Sequence, residues 1–200
     1  MQWSDRASPA PAAATSAGGV EPGSTSSGPD GAPPRERSSS APSRARPARP
    51  ISLRIASIGV GTALTTLGLN ADGTVEVPTD PMLAGWYRLG TRPGAQGSAV
   101  ILGHVDSVDG PAVFARLGTL RPGDLVQVRL ADGVSESFRV RSVRLYPNDE
   151  FPAHQVYATP GPRTLNLVTC GGSYDRARGG YQANLVVTTR LVRPAVRGRT

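Results

Sequence analysis

From Pro50 onward, the chain consists of short apolar runs separated by turns that contain glycine or proline. Asp124–Leu130 alternates apolar and polar residues, and Ser137–Leu145 alternates again after the turn Ala131–Gly133. A period of two is typical of half-buried strands, so these two runs predict a β-hairpin. Roughly seven or eight such runs with little helix predict a mainly β fold, a single closed or nearly closed barrel.

Other segments give less regular patterns. The apolar spacing of Pro111–Leu117 predicts a short helix, and Asp80–Gly90 predicts a single helical turn. Arg163–Cys170 predicts a buried strand, and the glycine-rich stretch Gly171–Gly180 predicts a loop before the last strand, Asn184–Val192.

Composition divides the chain into three parts. Residues 1–49 are rich in Pro, Ala and Ser and almost lack large apolar side chains, which predicts a disordered linker. Residues 50–193 contain the apolar runs and are long enough to bury about 70% of their unfolded surface as one domain. Residues 194–200 form a short basic extension that we expect to be solvated.

The charge and hydropathy exclude several classes of protein. The net charge is +7, but the arginines are dispersed and only 5% of residues are aromatic, so nucleic-acid binding is not predicted. No run of about 18 apolar residues would span a membrane, and residues 1–49 contain no apolar stretch of the kind found in a secretory signal. Such linkers commonly tether extracytoplasmic domains, so we expect an anchor encoded upstream of Met1 and a location outside the cytoplasm. We also expect a monomer.

Cys170 is the only cysteine, and it ends an apolar run before Gly171. A lone thiol cannot form an internal disulfide, so any role beyond packing as a small buried side chain is nucleophilic. One cysteine and two histidines are too few ligands for a zinc site, and we expect neither a metal nor another cofactor.

His104 ends a second apolar run, Ser98–His104, and is the candidate base for the thiol if the two strand ends adjoin. His154 lies near Pro152 and is interpreted as structural or solvent-facing. Asp106 is interpreted as a turn residue, with orientation of His104 as the alternative. Arg176 and Arg178 follow Cys170 closely enough to reach an oxyanion, although solvated loop charges are the other interpretation.

Four segments carry a resemblance to a known family. They are Gly103-His104-Val105-Asp106-Ser107, Gly110-Pro111-Ala112-Val113-Phe114, Leu167-Val168-Thr169-Cys170-Gly171-Gly172 and Tyr174-Asp175-Arg176. In order and spacing the chain from Ile51 to Val192 resembles the sortases, cysteine transpeptidases of Gram-positive cell surfaces, and most of all their actinobacterial class F branch.

The resemblance implies an eight-stranded barrel that cleaves an LPxTG-like sorting signal through a thioacyl enzyme and transfers the acyl group to a cell-wall amine. Cys170 would be the nucleophile and His104 its proton partner. Arg176, preferred over Arg178, would stabilise the substrate and the oxyanion. Thr169 would assist through its backbone or hydroxyl. Water would compete as acceptor, so slow hydrolysis is expected.

The chain departs from the family pattern at two places. Asn166 stands where the motif usually begins with Thr-Leu. Gln182, Ala183 or Asn184 occupies the strand position at which many sortases carry arginine, so the role passes to Arg176 or Arg178, or is shared with Asn184.

Two other functions fit the pattern less well. An L,D-transpeptidase-like cross-linker also uses Cys, His and Arg, but its Ser-His-Gly signature before the cysteine differs from Leu167-Val168-Thr169. A catalytically inactive envelope-binding barrel, with Cys170 as packing, is the alternative outside enzymes.

Overall fold

The computed structural model describes residues 47–192, and the predicted linker up to residue 46 and the predicted extension 194–200 lie outside this range. One α-helix, α1 (Ala153–Val156), and three single-turn 3-10 helices accompany the strands within it. The strands are β1 Pro50–Ile55, β2 Val60–Leu67, β3 Ala84–Tyr87, β4 Ser98–Gly103, β5 Asp106–Ser107, β6 Gly110–Pro111, β7 Leu125–Leu130, β8 Ser135–Pro147, β9 Thr164–Asp175 and β10 Gly180–Leu191.

Eight of these strands form a closed barrel in the order β1-β2-β3-β4-β9-β10-β8-β7, and β5 and β6 form a separate two-stranded ribbon. The prediction of a closed barrel is therefore confirmed. Neighbouring strands are antiparallel except at two places, where β2 pairs with β3 and β4 pairs with β9 in parallel. The β4–β9 pairing joins segments that are distant in sequence; β4 ends one residue before His104, and β9 contains Cys170.

The barrel interior is filled by the inward positions of the alternating strands. Along β7 every second residue is buried, and the predicted hairpin with β8 forms, with Val126 opposite Phe138. Burial of a large apolar side chain contributes about 1.5–3 kcal/mol, so this interior is the main source of stability. Its largest fully buried side chains include Phe114, Phe138, Leu53, Ile55, Ile101, Leu117, Leu165 and Leu167.

A second apolar cluster lies on the opposite face of the same strands. Val100 and Leu102 of β4 pack there with Val168 of β9, and Val156 of α1 belongs to the same cluster. All six residues of β4 are consequently buried. Burial on both faces explains why the strand before His104 is a continuous apolar run without alternation.

The helix predicted over Pro111–Leu117 does not form. The Phe114 amide donates to the His104 carbonyl at 2.9 Å, and the Val113 amide donates to the Pro81 carbonyl at 3.0 Å. These long-range bonds use the donors that a helix would direct along its own axis. The segment is instead a turn followed by one 3-10 turn, Leu117–Thr119, and Phe114 is completely buried.

The helical turn predicted within Asp80–Gly90 is also wrong. Ala84–Tyr87 is β3, which pairs in parallel with β2 and antiparallel with β4. Strand partners on both sides decide this conformation, and apolar residues in a short segment do not reveal such partners.

The predicted loop Gly171–Gly180 is mostly strand. β9 continues to Asp175, where it pairs with Gly180 of β10, and only the turn 176–179 separates the two strands. Gly172 has a φ of +76° beside a register shift between Tyr181 and Ala183, so the strands continue through a bulge. The glycines that predicted a loop therefore support an irregular hairpin.

Candidate active site

The parallel pairing of β4 and β9 determines where His104 and Cys170 lie. Leu102 is aligned with Val168, and the same offset carried two residues further aligns His104 with Cys170. Adjacent strands are about 4.8 Å apart, so the two residues belong to adjoining chain segments at one end of this pairing. The register places the end of β4 beside the buried half of β9, and the proximity of His104 to Cys170 stays a prediction.

The imidazole of His104 is held in one orientation. Its Nε2 atom lies 2.7 Å from the carbonyl oxygen of Pro78. A carbonyl oxygen only accepts hydrogen bonds, so Nε2 carries the hydrogen and, in the neutral ring, Nδ1 is the basic nitrogen. The backbone carbonyl of His104 is fixed by the amide of Phe114, which belongs to the buried turn after β6.

Cys170 lies within β9, at the point where that strand changes from buried to partly exposed. It shares a parity with Val168, which packs in the outer apolar cluster. Thr169 alternates with it on the side of Leu165 and Leu167, which are interior residues. The Thr169 side chain is fully buried, and its hydroxyl has no hydrogen-bond partner among the described residues. The Thr169 hydroxyl therefore does not share the face of the thiol, contrary to the role that sequence allowed it.

The surroundings of Cys170 favour the neutral thiol. Burial raises its pKa, and the carboxylate of Asp106 raises it further, to about 12. Both causes oppose formation of the thiolate in the resting protein. Nucleophilic attack would therefore require transfer of the thiol proton to a neighbouring base as the substrate binds.

Asp106 makes a specific contact that the interpretation as a turn residue did not anticipate. It belongs to β5, opposite Pro111, and its Oδ2 atom accepts a hydrogen bond from the Tyr181 hydroxyl at 2.6 Å. That bond is the main reason why the pKa of Tyr181 is raised to about 12. The Tyr181 ring stacks edge-on against Tyr174, with ring centroids 5.2 Å apart.

Asn184 lies on the other side of Cys170. The two residues are directly paired between β10 and β9, so their side chains project to the same face. The Asn184 amide donates to Asn148 Oδ1 at 2.9 Å, and Asn148 donates to the Tyr181 carbonyl at 2.8 Å. The carboxamide is thus fixed beside the thiol. Gln182 uses its own amide on the Gly180 carbonyl at 2.7 Å.

Arg176 and Arg178 are not brought to Cys170 by the strand pairing. Both are exposed in the turn of the β9–β10 hairpin, which begins roughly 20 Å of extended chain beyond the thiol. The Asp175 carboxylate accepts the amides of Ala177 and Arg178 and shapes this turn. The prediction that they lie near the thiol assumed a loose loop, whereas the chain there is a strand.

Sequence reasoning did not single out Tyr181 or Asn148, although both belong to this site. Tyr181 lies on β10, which pairs with β9, and Asn148 directly follows β8, which pairs with β10; neither residue stands in a pattern that sequence alone would single out. His154, the other histidine, is exposed on α1. Among residues 47–192 there is no group of three or more side chains suited to hold a metal ion. Within the same range no helix is both long and apolar enough to cross a membrane.

A family model described as the sortase domain matches residues 53–192, which include the whole barrel beyond the first strand residues. The chain belongs to the sortase family. The matched residues include all the candidate site residues. Sortases are cysteine transpeptidases, and the only cysteine of this chain is Cys170 on β9.

Solved sortase structures have the same fold. Sortase A from Corynebacterium diphtheriae superposes with a TM-score of 0.56 at 16% identity, covering 77% of this chain and 65% of that enzyme. Sortase C-1 from Actinomyces oris gives a TM-score of 0.56 at 22% identity, covering 72% of this chain and 73% of that one. Sortase C1 from Streptococcus agalactiae gives a TM-score of 0.56 at 19% identity, covering 72% of this chain and 67% of that one.

A search of curated protein sequences gave no match. The chain spans 65% of the length of the diphtherial enzyme, somewhat less than two thirds. At these identities the structural likeness establishes the fold alone. The roles of individual residues therefore rest on the geometry described above.

Proposed function

We propose that this sortase is a cysteine transpeptidase that cleaves an LPxTG-like sorting signal and transfers the acyl group to a cell-wall amine. The observation that supports the proposal is the β4–β9 register, which ends with Leu102 opposite Val168, two residues before His104 and Cys170. Acyl transfer through a thioester needs at least a thiol as nucleophile and a nearby base, and here these groups lie on adjoining chain segments.

In the first step Cys170 attacks the threonine carbonyl of the sorting signal. Since the resting thiol is neutral, its proton moves to Nδ1 of His104 as the sulfur–carbon bond forms. The imidazolium then returns that proton to the leaving amide nitrogen as the peptide bond breaks. The products are a thioacyl enzyme and a peptide with a free amino group.

The oxyanion of this step needs a hydrogen-bond donor or a positive charge. Asn184 is our first choice, because it is paired with Cys170 and its amide is fixed by Asn148. Arg176 remains the second candidate, and Arg178 the third, for a substrate that reaches the hairpin turn. The backbone of Thr169 is a further candidate to stabilise the oxyanion, whereas its buried hydroxyl is not.

In the second step a primary amine attacks the thioester and releases Cys170, and water gives hydrolysis as a slower side reaction. We assign the protein to the class F branch on the motifs around His104 and Cys170, and to the outside of the cytoplasm, where sortases act. Its partners are then the sorting signals of secreted proteins and a cell-wall precursor amine.

Intact-mass spectrometry after incubation with an LPxTG-type peptide tests this function. We expect an acyl adduct on the wild type and none on Cys170→Ala. His104→Ala should slow acylation at least about a hundredfold, as loss of a general acid–base group does. His154→Ala is the matched control, because that histidine is exposed on α1, and it should acylate like the wild type.

The raised pKa of the thiol favours one other candidate, an inactive envelope-binding barrel in which Cys170 only packs. This alternative predicts no adduct with any sorting peptide and equal peptide binding by the wild type and Cys170→Ala. Adduct formation that depends on both Cys170 and His104 would exclude it.

A further inference from the structure

We propose that Asp106, held in place by Tyr181, is the group that binds the acceptor amine in its protonated form. The inference rests on the proposed function, because it specifies the substrate of the second step at the same site. It assigns a role to a contact that the attack of Cys170 on the sorting signal does not use.

The position of Asp106 fits this role. It follows His104 by two residues, on the short ribbon β5–β6, and it is hydrogen-bonded to Tyr181 of β10, the strand on which Asn184 pairs with Cys170. Its side chain is partly exposed, so a ligand can approach it from solvent.

The carboxylate is also fixed and keeps capacity for a ligand. The Tyr181 hydroxyl donates to Oδ2 at 2.6 Å, which orients the group. A carboxylate offers about four acceptor positions on its two oxygens, so one phenol leaves room for an ammonium group. A hydrogen bond between two charged groups is about twice as strong as one between neutral groups.

A carboxylate beside the nucleophile is otherwise difficult to explain. It disfavours the thiolate and so opposes the first step. In the thioacyl enzyme the sulfur carries no charge, so this penalty disappears, and the same carboxylate attracts a cation to the thioester. The net charge of the whole chain is +7 and does not itself attract a cation, so an ammonium ion needs a local negative group to hold it.

The proposed step balances as follows. The ammonium ion docks on Asp106 and loses one proton to solvent through that carboxylate. The nitrogen lone pair then attacks the thioester carbon, forming the C–N bond, and the C–S bond breaks. The second amine proton passes through the imidazole of His104 to the sulfur. Thioester and ammonium ion give amide, thiol and one released proton.

The partition of the acyl enzyme between amine and water tests this assignment. Wild type, Asp106→Asn and Tyr181→Phe would be incubated with an LPxTG-type peptide and glycinamide, and the amide and acid products counted by mass spectrometry. We expect Asp106→Asn to lower the ratio of aminolysis to hydrolysis about tenfold, as loss of a hydrogen bond to a charged group does. Tyr181→Phe should lower it about threefold.

The ratio is independent of how fast each variant acylates, so it separates amine binding from the first step. Asp109→Asn is the matched control, an exposed aspartate on the same ribbon turn, and it should keep the wild-type ratio. An Asp106→Asn ratio equal to that of the wild type would overturn the proposal. So would an equal loss in Asp109→Asn.

A second assay does not depend on transpeptidation. Cys170 would be modified with a cationic aminoethyl and a neutral methyl methanethiosulfonate, which form mixed disulfides and release methanesulfinate. The ratio of cationic to neutral rates cancels any change in thiol ionisation. We expect it to fall about fivefold in Asp106→Asn, as loss of one nearby charge predicts.

The two assays distinguish the possible failures. An unchanged ratio of reagent rates in Asp106→Asn would overturn cation binding at Asp106, even if acylation occurs. A lowered ratio without any wild-type acyl adduct would support cation binding at Asp106 and refute the transpeptidase function.

Discussion

The two halves of β9 differ in almost every property that matters for the site. Thr164–Thr169 are all buried, between β4 and β10, whereas Cys170–Asp175 are partly or fully exposed and continue with β10 alone through a bulge. The buried first half holds the backbone of β9 in place, and the second half is accessible to solvent next to it. Cys170 is the first residue after the change, so it combines a rigid support with partial access from solvent.

The largest contrast between the two halves should appear in stability. Leu167 is fully buried and aligned with Ile101 and Val187, so Leu167→Ala should lower the free energy of unfolding by about 2–5 kcal/mol. Tyr174 is 49% exposed and contributes one ring contact, so Tyr174→Ala should cost about 1 kcal/mol. Urea unfolding measures both values. Equal losses would mean that the exposed half carries as much of the fold as the buried half.

A second contrast concerns the donor for the oxyanion. Asn184 pairs with Cys170 at the junction, whereas Arg176 lies at the far end of the exposed half. We expect Asn184→Ala to lower kcat/KM for a sorting peptide about a hundredfold to a thousandfold, as removal of one oxyanion donor does. Arg176→Ala should have a smaller effect, with Arg178→Ala as its control in the same turn. The reverse order would return the role to Arg176, the arginine favoured by the sequence.

The smallest expected effect is a pH dependence of stability. The pKa of Cys170 is raised from 9.0 to about 12, so the neutral thiol stabilises the fold fully below pH 9. This contribution is lost as pH rises through that window, because the unfolded chain ionises first. Relative to Cys170→Ala, the wild type should lose about 1 kcal/mol between pH 8 and pH 10.

Urea unfolding of both proteins at several pH values measures this difference. Tyr181, whose pKa is also raised, is present in both proteins, so the comparison isolates the thiol. A difference that does not change with pH would contradict the description of Cys170 as a buried neutral group beside Asp106.

The sequence predicted the buried half of β9 better than the exposed half, and the reason is physical. Continuous apolar runs before His104 and Cys170 indicate strands covered on both faces, and these strands form as expected. The glycines after Cys170 indicated a loop, but strand pairing with β10 supplied hydrogen bonds that local sequence does not reveal. The error also displaced Arg176, because a residue in a loop was assumed to lie near the thiol.

The contacts around the thiol were the least predictable part of the molecule. The bond between Tyr181 and Asp106 and the link from Asn184 to Asn148 join residues on different strands and turns. No local pattern encodes such contacts, since they depend on the register of several pairings at once. The helix expected over Pro111–Leu117 failed for the same reason, because its amides bond to His104 and Pro81.

The parallel pairing of β4 with β9 has a consequence for a chain that has not yet folded. The segments that carry His104 and Cys170 are far apart in sequence, and the pairing of β4 with β9 is what brings those segments together. Contacts of this kind form late, because loop entropy opposes them until the rest of the structure is present. Chemistry that needs both side chains would therefore begin only once β4 and β9 have paired, and the unfolded chain would be inert in this respect.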